Sequence, residues 1–316
     1  MVTGCAGFIG SHLSESLFAD GHSVLGVDHV GDNYGRAQKL DNLAQARDWD
    51  AFDFVPIDLA RGGLTDLVEG CDVVFHLAAE PGVRASWGER FELYLRNNVL
   101  ATQRLLEAAR RWSGRLVYAS SSSVYGNAAA APTPESAVPR PLSPYGVTKL
   151  DGEHLCDLYR EGHGVDTVTL RYFSVYGPRQ RPDMAFNVFC HAALRGEPVA
   201  LFGDGRQTRD FTYVSDVVAA TRIAAERAPA GSLYNVGAGS GTTVASALEL
   251  LGEIAGRAVA VEHLPRRRGD VQDTVADATR IAAELGHRPK TPLADGLGAE
   301  FEWVAARAHT RIAHVG

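Results

Sequence analysis

The sequence predicts an α/β protein, a doubly wound parallel sheet joined to a smaller mixed α/β lobe. Three observations predict it. Short β-branched runs alternate with longer helical patterns through the first two-thirds of the 316 residues. A glycine-rich turn opens the first of these units, at Gly4. After about Gly177 the rhythm loosens into short strands and helices. Strand–helix–strand alternation of this kind implies parallel strands with helices on both faces.

Taken in order, strands are expected at Ser23–Val27, Phe52–Ile57, Val73–Leu77, Arg115–Ala119 and Thr167–Arg171. Only Met1, Val2 and Thr3 precede the first glycine, where a strand of about five residues is usual. The clearest helix is Arg90–Arg111, in which Leu93, Val99, Leu100, Leu105 and Leu106 recur at helical spacing. Later helices are expected at Met184–Arg195, Asp216–Glu226, Thr242–Ala255 and Leu293–Ala308. The Ala- and Pro-rich stretch Asn127–Pro141 reads as a surface loop. The boundary between lobes is placed at residue 177, with the chain returning to the first lobe near 211–240 and the second lobe drawn mainly from 178–316.

Composition excludes several classes. Hydrophobic residues are 45% and charged residues 22% of the chain, with mean hydropathy −0.10. This is too apolar for disorder, and no run approaches the ~18 apolar residues of a membrane span. The start lacks the charged and apolar regions of a signal peptide, so a cytoplasmic location is expected. A net charge of −7 gives no electrostatic support for nucleic-acid binding. Cys5, Cys71, Cys156 and Cys190 are scattered without CxxC spacing, which fits a reducing compartment and small buried hydrophobes and argues against a metal site.

The segment Thr3–Gly10 spaces Gly4, Gly7 and Gly10 three apart and leads through Phe8 and Ile9 into a helix. Glycine lets the backbone turn tightly and approach a pyrophosphate, whose charge sits at the helix N-terminus. The next strand runs into Asp28, eighteen residues after Gly10. A carboxylate there accepts hydrogen bonds from an adenosine ribose and repels a 2′-phosphate, favouring NAD over NADP. The combination predicts a Rossmann-type dinucleotide site. Asp58 and Leu59, and Leu77, Ala78 and Ala79, also fall at strand carboxyl ends. His76, inside an apolar strand, reads as a satisfied core histidine.

Tyr145 and Lys149 are four apart at the start of a helix opened by Pro144, so they share a face. A lysine ammonium and a nicotinamide cation beside a phenol would lower its pKa and make it a general base. The run Ser120–Ser123, after the fifth strand, supplies hydroxyls at the same edge of the sheet. An i,i+4 Tyr/Lys pair alone is a frequent coincidence, and a serine-rich loop needs no function. The order glycine loop, Asp28, serine run, Tyr-x-x-x-Lys is far more specific.

In these motifs the chain resembles the extended short-chain dehydrogenase/reductases, and among them the NAD-dependent nucleotide-sugar epimerases. The resemblance also takes in Asn98–Thr102, Arg171–Gly177, Arg209-Asp210-Phe211, Tyr234–Gly237 and Arg267-Arg268-Gly269-Asp270. It implies that Ser121, Tyr145 and Lys149 are catalytic, that Asn98 and Tyr172 lie near NAD, and that Arg209 and Arg267, with Asp270 in the same motif, meet the substrate, the two arginines clamping its diphosphate. Family 4,6-dehydratases carry Asp-Glu where this chain has Ser122 and Ser123. The segment Val175–Phe186, with Gly82-Val83-Arg84 upstream, is similar to UDP-glucuronate 4-epimerases. A 4-keto uronate loses CO₂ readily unless its carboxylate is held; Arg181 would pair with it, Ser122, Ser123 and Ser174 would hydrogen-bond it, and Arg84 is a further candidate. The resemblance further implies a homodimer through a four-helix bundle built from Arg90–Arg111 and Pro144–Glu161. Three readings stay open beside UDP-glucuronate epimerisation: a UDP-glucose or UDP-N-acetylglucosamine 4-epimerase, a decarboxylase, and a non-catalytic nucleotide-binding protein of the same fold.

Overall fold

The protein is described by a computed structural model covering residues 1–31, 35–128, 130–265 and 271–313, with side chains as far as residue 308. Seven strands form one parallel sheet. Strand β1 (Val2–Thr3) is followed by helix α1 (Phe8–Ala19), β2 (Val24–Val27), α2 (Arg36–Ala44), β3 (Phe52–Val55), α3 (Thr65–Glu69) and β4 (Val73–His76). Helix α4 (residues 91–108), β5 (Arg115–Ser121), α5 (Pro144–His163) and β6 (Asp166–Tyr172) continue the alternation. The spatial order is β3-β2-β1-β4-β5-β6, closed at the far edge by the late strand β11 (Leu233–Val236). This is the doubly wound order, reversing between β1 and β4.

Strand β1 is two residues long yet central. Val2 and Thr3 pair with Gly26 and Val27 on one side and with Phe75 and His76 on the other. The amino group of Met1 donates to the Val73 carbonyl at 2.7 Å. Side chains alternate across β5: Val117 packs with Leu13 of α1 and Val217 of the later helix α7 (Val214–Arg227), whereas Leu116 and Tyr118 pack with Leu105 of α4 and Cys156 of α5. Two apolar layers therefore flank the sheet.

Helix α5 starts where the sequence marks it. Ser143 Oγ accepts the Gly146 N–H at 3.1 Å, Pro144 takes the first position, and Gly164 closes the helix with φ 71°. The expected helix Arg90–Arg111 differs in its middle, where Leu95–Leu100 is a π-turn. The extra residue rotates the face, so Leu100 is 38% exposed while Tyr94 and Asn98 are buried. The loop 127–141 is more than surface: Thr133 is buried, its N–H donating to Val275 O at 2.8 Å and its carbonyl accepting Asp277 N–H at 3.0 Å.

The second lobe carries β7 (Ser174–Tyr176), α6 (Ala185–Arg195), β8 (Val199–Phe202), β9 (Thr208–Arg209) and β10 (Phe211–Tyr213) before α7. After β11 come β12 (Thr242–Thr243), α8 (Val244–Ile254), β13 (Val261–Leu264), β14 (Asp273–Thr274), α9 (Thr279–Leu285) and α10 (Leu293–Ala313). The stretch Thr242–Ala255, expected as one helix, begins as a strand because Thr243 caps α8 through Ser246 N–H at 3.0 Å. Tyr176, Phe186, Leu201, Leu248 and Leu297 form this lobe's core. Among the described residues no helix is long and apolar enough to cross a membrane.

Candidate functional site

The carboxyl ends of the central strands open onto a cleft of about 200 Å³. Gly4, Gly7, Phe8, Ile9 and Gly10 line it, with Asp28, Asp58, Leu59, Leu77, Ala78 and Ala79 from the neighbouring strand ends. Gly4 has φ 72°, and a Cβ there would stand 2.9 Å from Ala78 N. A Cβ at Gly10 would stand 2.2 Å from the Gly4 carbonyl oxygen. Only glycine allows the turn and the packing of α1 against it. Helix α1 has Gly7 as its N-cap, without a capping side chain and without an acidic residue in its first turn. Its first N–H groups and positive dipole end suit an anion. Asp28 ends β2 in the cleft lining, one carboxylate oxygen accepting Val30 N–H at 2.7 Å. A glycine turn, a free helix N-terminus and a carboxylate on the adjacent strand together fit a dinucleotide's pyrophosphate and adenosine ribose.

Secondary contacts hold this cradle. Thr3 Oγ1 accepts Ala78 N–H at 3.1 Å and donates to His76 Nδ1 at 2.8 Å. His76 Nε2–H then donates to Thr102 Oγ1 at 2.9 Å, and Thr102 to Asn98 O. His76 is thus a neutral, satisfied core histidine, its pKa pushed down to about 3 by burial and by the charge of Lys149. Burial raises the Asp58 carboxyl, but hydrogen bonds from Arg96 and Ala60 N–H outweigh it and leave the pKa below its ordinary value.

At the other end of the cleft lie Ser120, Tyr145, Lys149, Tyr172 and Arg181. Ser121 hydrogen-bonds Tyr145. The Lys149 ammonium sits 4.7 Å over the Tyr118 ring, and burial lowers its pKa to about 8 against the pull of Glu153. The lowering expected for Tyr145 rests on Lys149 and a nicotinamide cation together; the protein's own groups leave it raised. Burial pushes the phenol up, and Ser121 and the Arg181 charge are the protein groups that favour its phenolate.

Glu153 was missed at the sequence level. It continues the Tyr145–Lys149 face by one more turn, is buried, and accepts from Ser120 Oγ and from Arg171 at 2.9 and 2.6 Å. The i+8 spacing was there to be read. Asn97 and Lys39 also line the cleft. Asn98, expected near the cofactor, does not; its amide holds the Glu80 backbone and Thr148 Oγ1 at 2.7–3.1 Å. The π-turn puts Asn97 on the cleft in its place.

The substrate residues divide. Arg181 lines the cleft and pairs with Asp183 through two 2.9 Å hydrogen bonds. Arg84 does not line it, because its guanidinium stacks 5.0 Å over Phe202 of the second lobe. Arg209 is likewise turned to backbone, donating to Thr208, Gln272 and Val271 carbonyls at 2.7–3.0 Å. Ser122 and Ser123 form the short turn after β5, Ser123 taking a 3.1 Å hydrogen bond from Ser121, and Ser174 N–H donates to Asp210 O. These three serines stand outside the cleft lining. Arg267 and Asp270 lie outside the described residues.

A reversed parallel sheet with a glycine-turn cradle and a Tyr/Lys/Ser group at its strand ends defines a dinucleotide-dependent enzyme class. Residues 1–237 match the NAD dependent epimerase/dehydratase family, and the chain belongs to it. A Bacillus subtilis protein described as an uncharacterized UDP-glucose epimerase is 42% identical over 97% of this chain and 98% of its own. The UDP-glucose 4-epimerase of Mycolicibacterium smegmatis is 39% identical over 96% and 97%. The crystal structure of the UDP-glucuronic acid 4-epimerase of Bacillus cereus, with UDP-glucuronic acid and NAD, matches with a TM-score of 0.94 at 40% identity, covering 97% and 98% of the two chains. The fold is that of NAD-dependent nucleotide-sugar 4-epimerases, and the cofactor is NAD.

Proposed function

We propose that the protein is a UDP-glucuronate 4-epimerase, interconverting UDP-glucuronic and UDP-galacturonic acid through a 4-keto sugar without loss of CO₂. The observation that carries this reading is a single one. Arg181 is the guanidinium that reaches the cleft at the end holding Tyr145, close enough for its charge to act on that phenol. A cation there suits a sugar that carries a carboxylate on the carbon next to C4.

Bound NAD supplies the acceptor and donor of hydride at C4. Gly4–Gly10 and Asp28 would hold it, with Asp58, Leu59, Leu77–Ala79, Lys149 and Tyr172 around it. Tyr145 takes the proton of the C4 hydroxyl and returns it, while Ser121 hydrogen-bonds the phenol and orients it. The Arg181 charge favours the phenolate as it forms, and Lys149, charged below about pH 8, lines the cleft with it. Arg181, whose Nε and one Nη2 donor hold Asp183, pairs with the carboxylate through its remaining Nη1 and Nη2 donors.

The protein is further proposed to be a homodimer. Leu95, Leu100, Val147 and Leu158 are exposed on α4 and α5, Leu158 by 63%, and an apolar face of this kind is what a two-helix contribution to a four-helix bundle presents.

The test is incubation of the purified protein with UDP-glucuronic acid, products followed by NMR. A reversible mixture with UDP-galacturonic acid is expected. It is abolished in Tyr145→Phe and diverted toward decarboxylation in Arg181→Ala. Conversion of UDP-glucose but not of the uronic acid would replace this reading with the neutral-sugar epimerase, which the 39% identical UDP-glucose 4-epimerase keeps in view.

A further inference from the structure

Arg179 has φ 69°, a left-handed conformation that among the described residues only one other non-glycine residue, Val30, shares. Side chains with a Cβ rarely adopt it, so the surroundings must hold it there. It lies in the turn Gly177–Arg181 between β7 and α6, two residues before the guanidinium that lines the cleft.

The turn is tied at every step. Gly177 O accepts Gln180 N–H at 3.1 Å, and Pro178 O accepts His12 Nε2–H at 2.9 Å. The carbonyls of Arg179 and Gln180 accept from Gln38 Nε2, both at 3.4 Å, and Gln180 O also accepts from Asn187 at 2.9 Å. Arg181 O accepts Met184 N–H at 3.0 Å. The Arg179 guanidinium donates to Glu15 at 2.6 Å. His12 and Glu15 stand on α1 at i+4 and i+7 from Phe8, which lines the cleft beside the glycine cradle. One face of the helix that begins at the dinucleotide cradle therefore carries the turn that carries Arg181.

We infer that Arg179 is a positioning residue: Glu15 holds it left-handed on α1, and this reversal aims Arg181 at the substrate's carboxylate. The inference rests on the reading of Arg181 as the carboxylate's partner. Its consequence is chemical. In a 4-keto uronate the C5–C6 bond can break, its electron pair moving into an enolate with the C4 carbonyl, C6 leaving as CO₂ and C5 then taking a proton. That break requires the C5–C6 bond to turn perpendicular to the carbonyl plane. An arginine held in one direction fixes the carboxylate and keeps the bond from turning. A loosened Arg181 leaves the C4 chemistry in place and lets CO₂ escape.

The experiment uses the full-length protein with NAD and UDP-glucuronic acid, measuring the ratio of CO₂ to epimer by NMR, KM, kcat and melting temperature. Glu15→Gln removes the charge pair from a mostly buried site, and Arg179→Gly removes it while keeping a residue that favours positive φ. Both are expected to raise the CO₂-to-epimer ratio and KM roughly tenfold with kcat within about twofold. Arg179→Lys, which keeps a cation for Glu15, brings both back toward the wild type. A merely structural role would lower melting temperature and kcat and leave the ratio alone, which overturns the inference. Folded Glu15→Gln and Arg179→Gly proteins with wild-type ratio and KM, beside an Arg181→Ala protein in which both rise, overturn the positioning role and spare the reading beneath it. Arg181→Ala with wild-type ratio and KM overturns that reading itself.

Discussion

Glu300 gives a prediction whose size follows from its surroundings. It sits on α10, fully buried, under the start of the turn that bears Arg181. The Gly177 N–H donates to one carboxyl oxygen at 2.7 Å, and the other oxygen is buried without a partner. Burial pushes its pKa from 4.5 up to about 8, offset in part by the Gly177 hydrogen bond. The sign follows from proton counting. Between pH 4.5 and 8 the folded protein keeps this proton while the unfolded chain has released it, so stability is full below pH 4.5 and is lost as pH rises toward 8. At about 1.36 kcal/mol per pH unit the loss is about 5 kcal/mol. With an unfolding entropy of about 2.1 cal/mol/K per residue, that is about 7 °C in melting temperature. Glu300→Gln keeps an acceptor for Gly177 and has no proton to lose. Thermal melts of both proteins from pH 5 to 8.5 cover about three of those pH units and are expected to diverge, the variant falling less by about 6 °C. Parallel curves would refute the reasoning, since every other titrating group is common to the two.

Gly10→Ala places a Cβ 2.2 Å from the Gly4 carbonyl and is expected to strip bound NAD; cofactor content after heat release checks this, and an unchanged content would sink the cradle. Arg171→Leu leaves the Glu153 carboxylate buried and unpaired, for an expected loss of about 3–5 kcal/mol in urea melts. The double variant Glu153→Met/Arg171→Leu should recover most of it, and no recovery would mean the loss is packing rather than charge. Leu158→Lys, on an exposed stretch of α5, is expected to convert the proposed dimer to monomer by light scattering, with an unchanged mass arguing against the bundle.

The strands were readable because buried parallel strands are apolar runs on both faces: Val24–Val27 and Val73–His76 lie within the stretches expected for them. The glycine cradle and Tyr145/Lys149 were readable because their chemistry depends on local spacing, three residues in one case and one helical turn in the other. Asn97 was not readable. The π-turn at Leu95–Leu100 displaces the helix face by one residue, and nothing in a leucine–asparagine run announces that. Nor were the arginines separable: Arg84 and Arg181 look alike in sequence, and only packing sends one to Phe202 and the other into the cleft.

Local patterns and their order along the chain therefore determined the α/β class, the strand-end glycine loop and the family, since each motif is read from near neighbours and the sequence keeps their order. Tertiary structure decided which charges meet. Glu153 with Arg171, Glu300 under Gly177 and Glu15 with Arg179 join residues up to 164 positions apart. Their energies come from burial and from partners that no spacing rule contains, because desolvation belongs to the folded molecule and not to the chain.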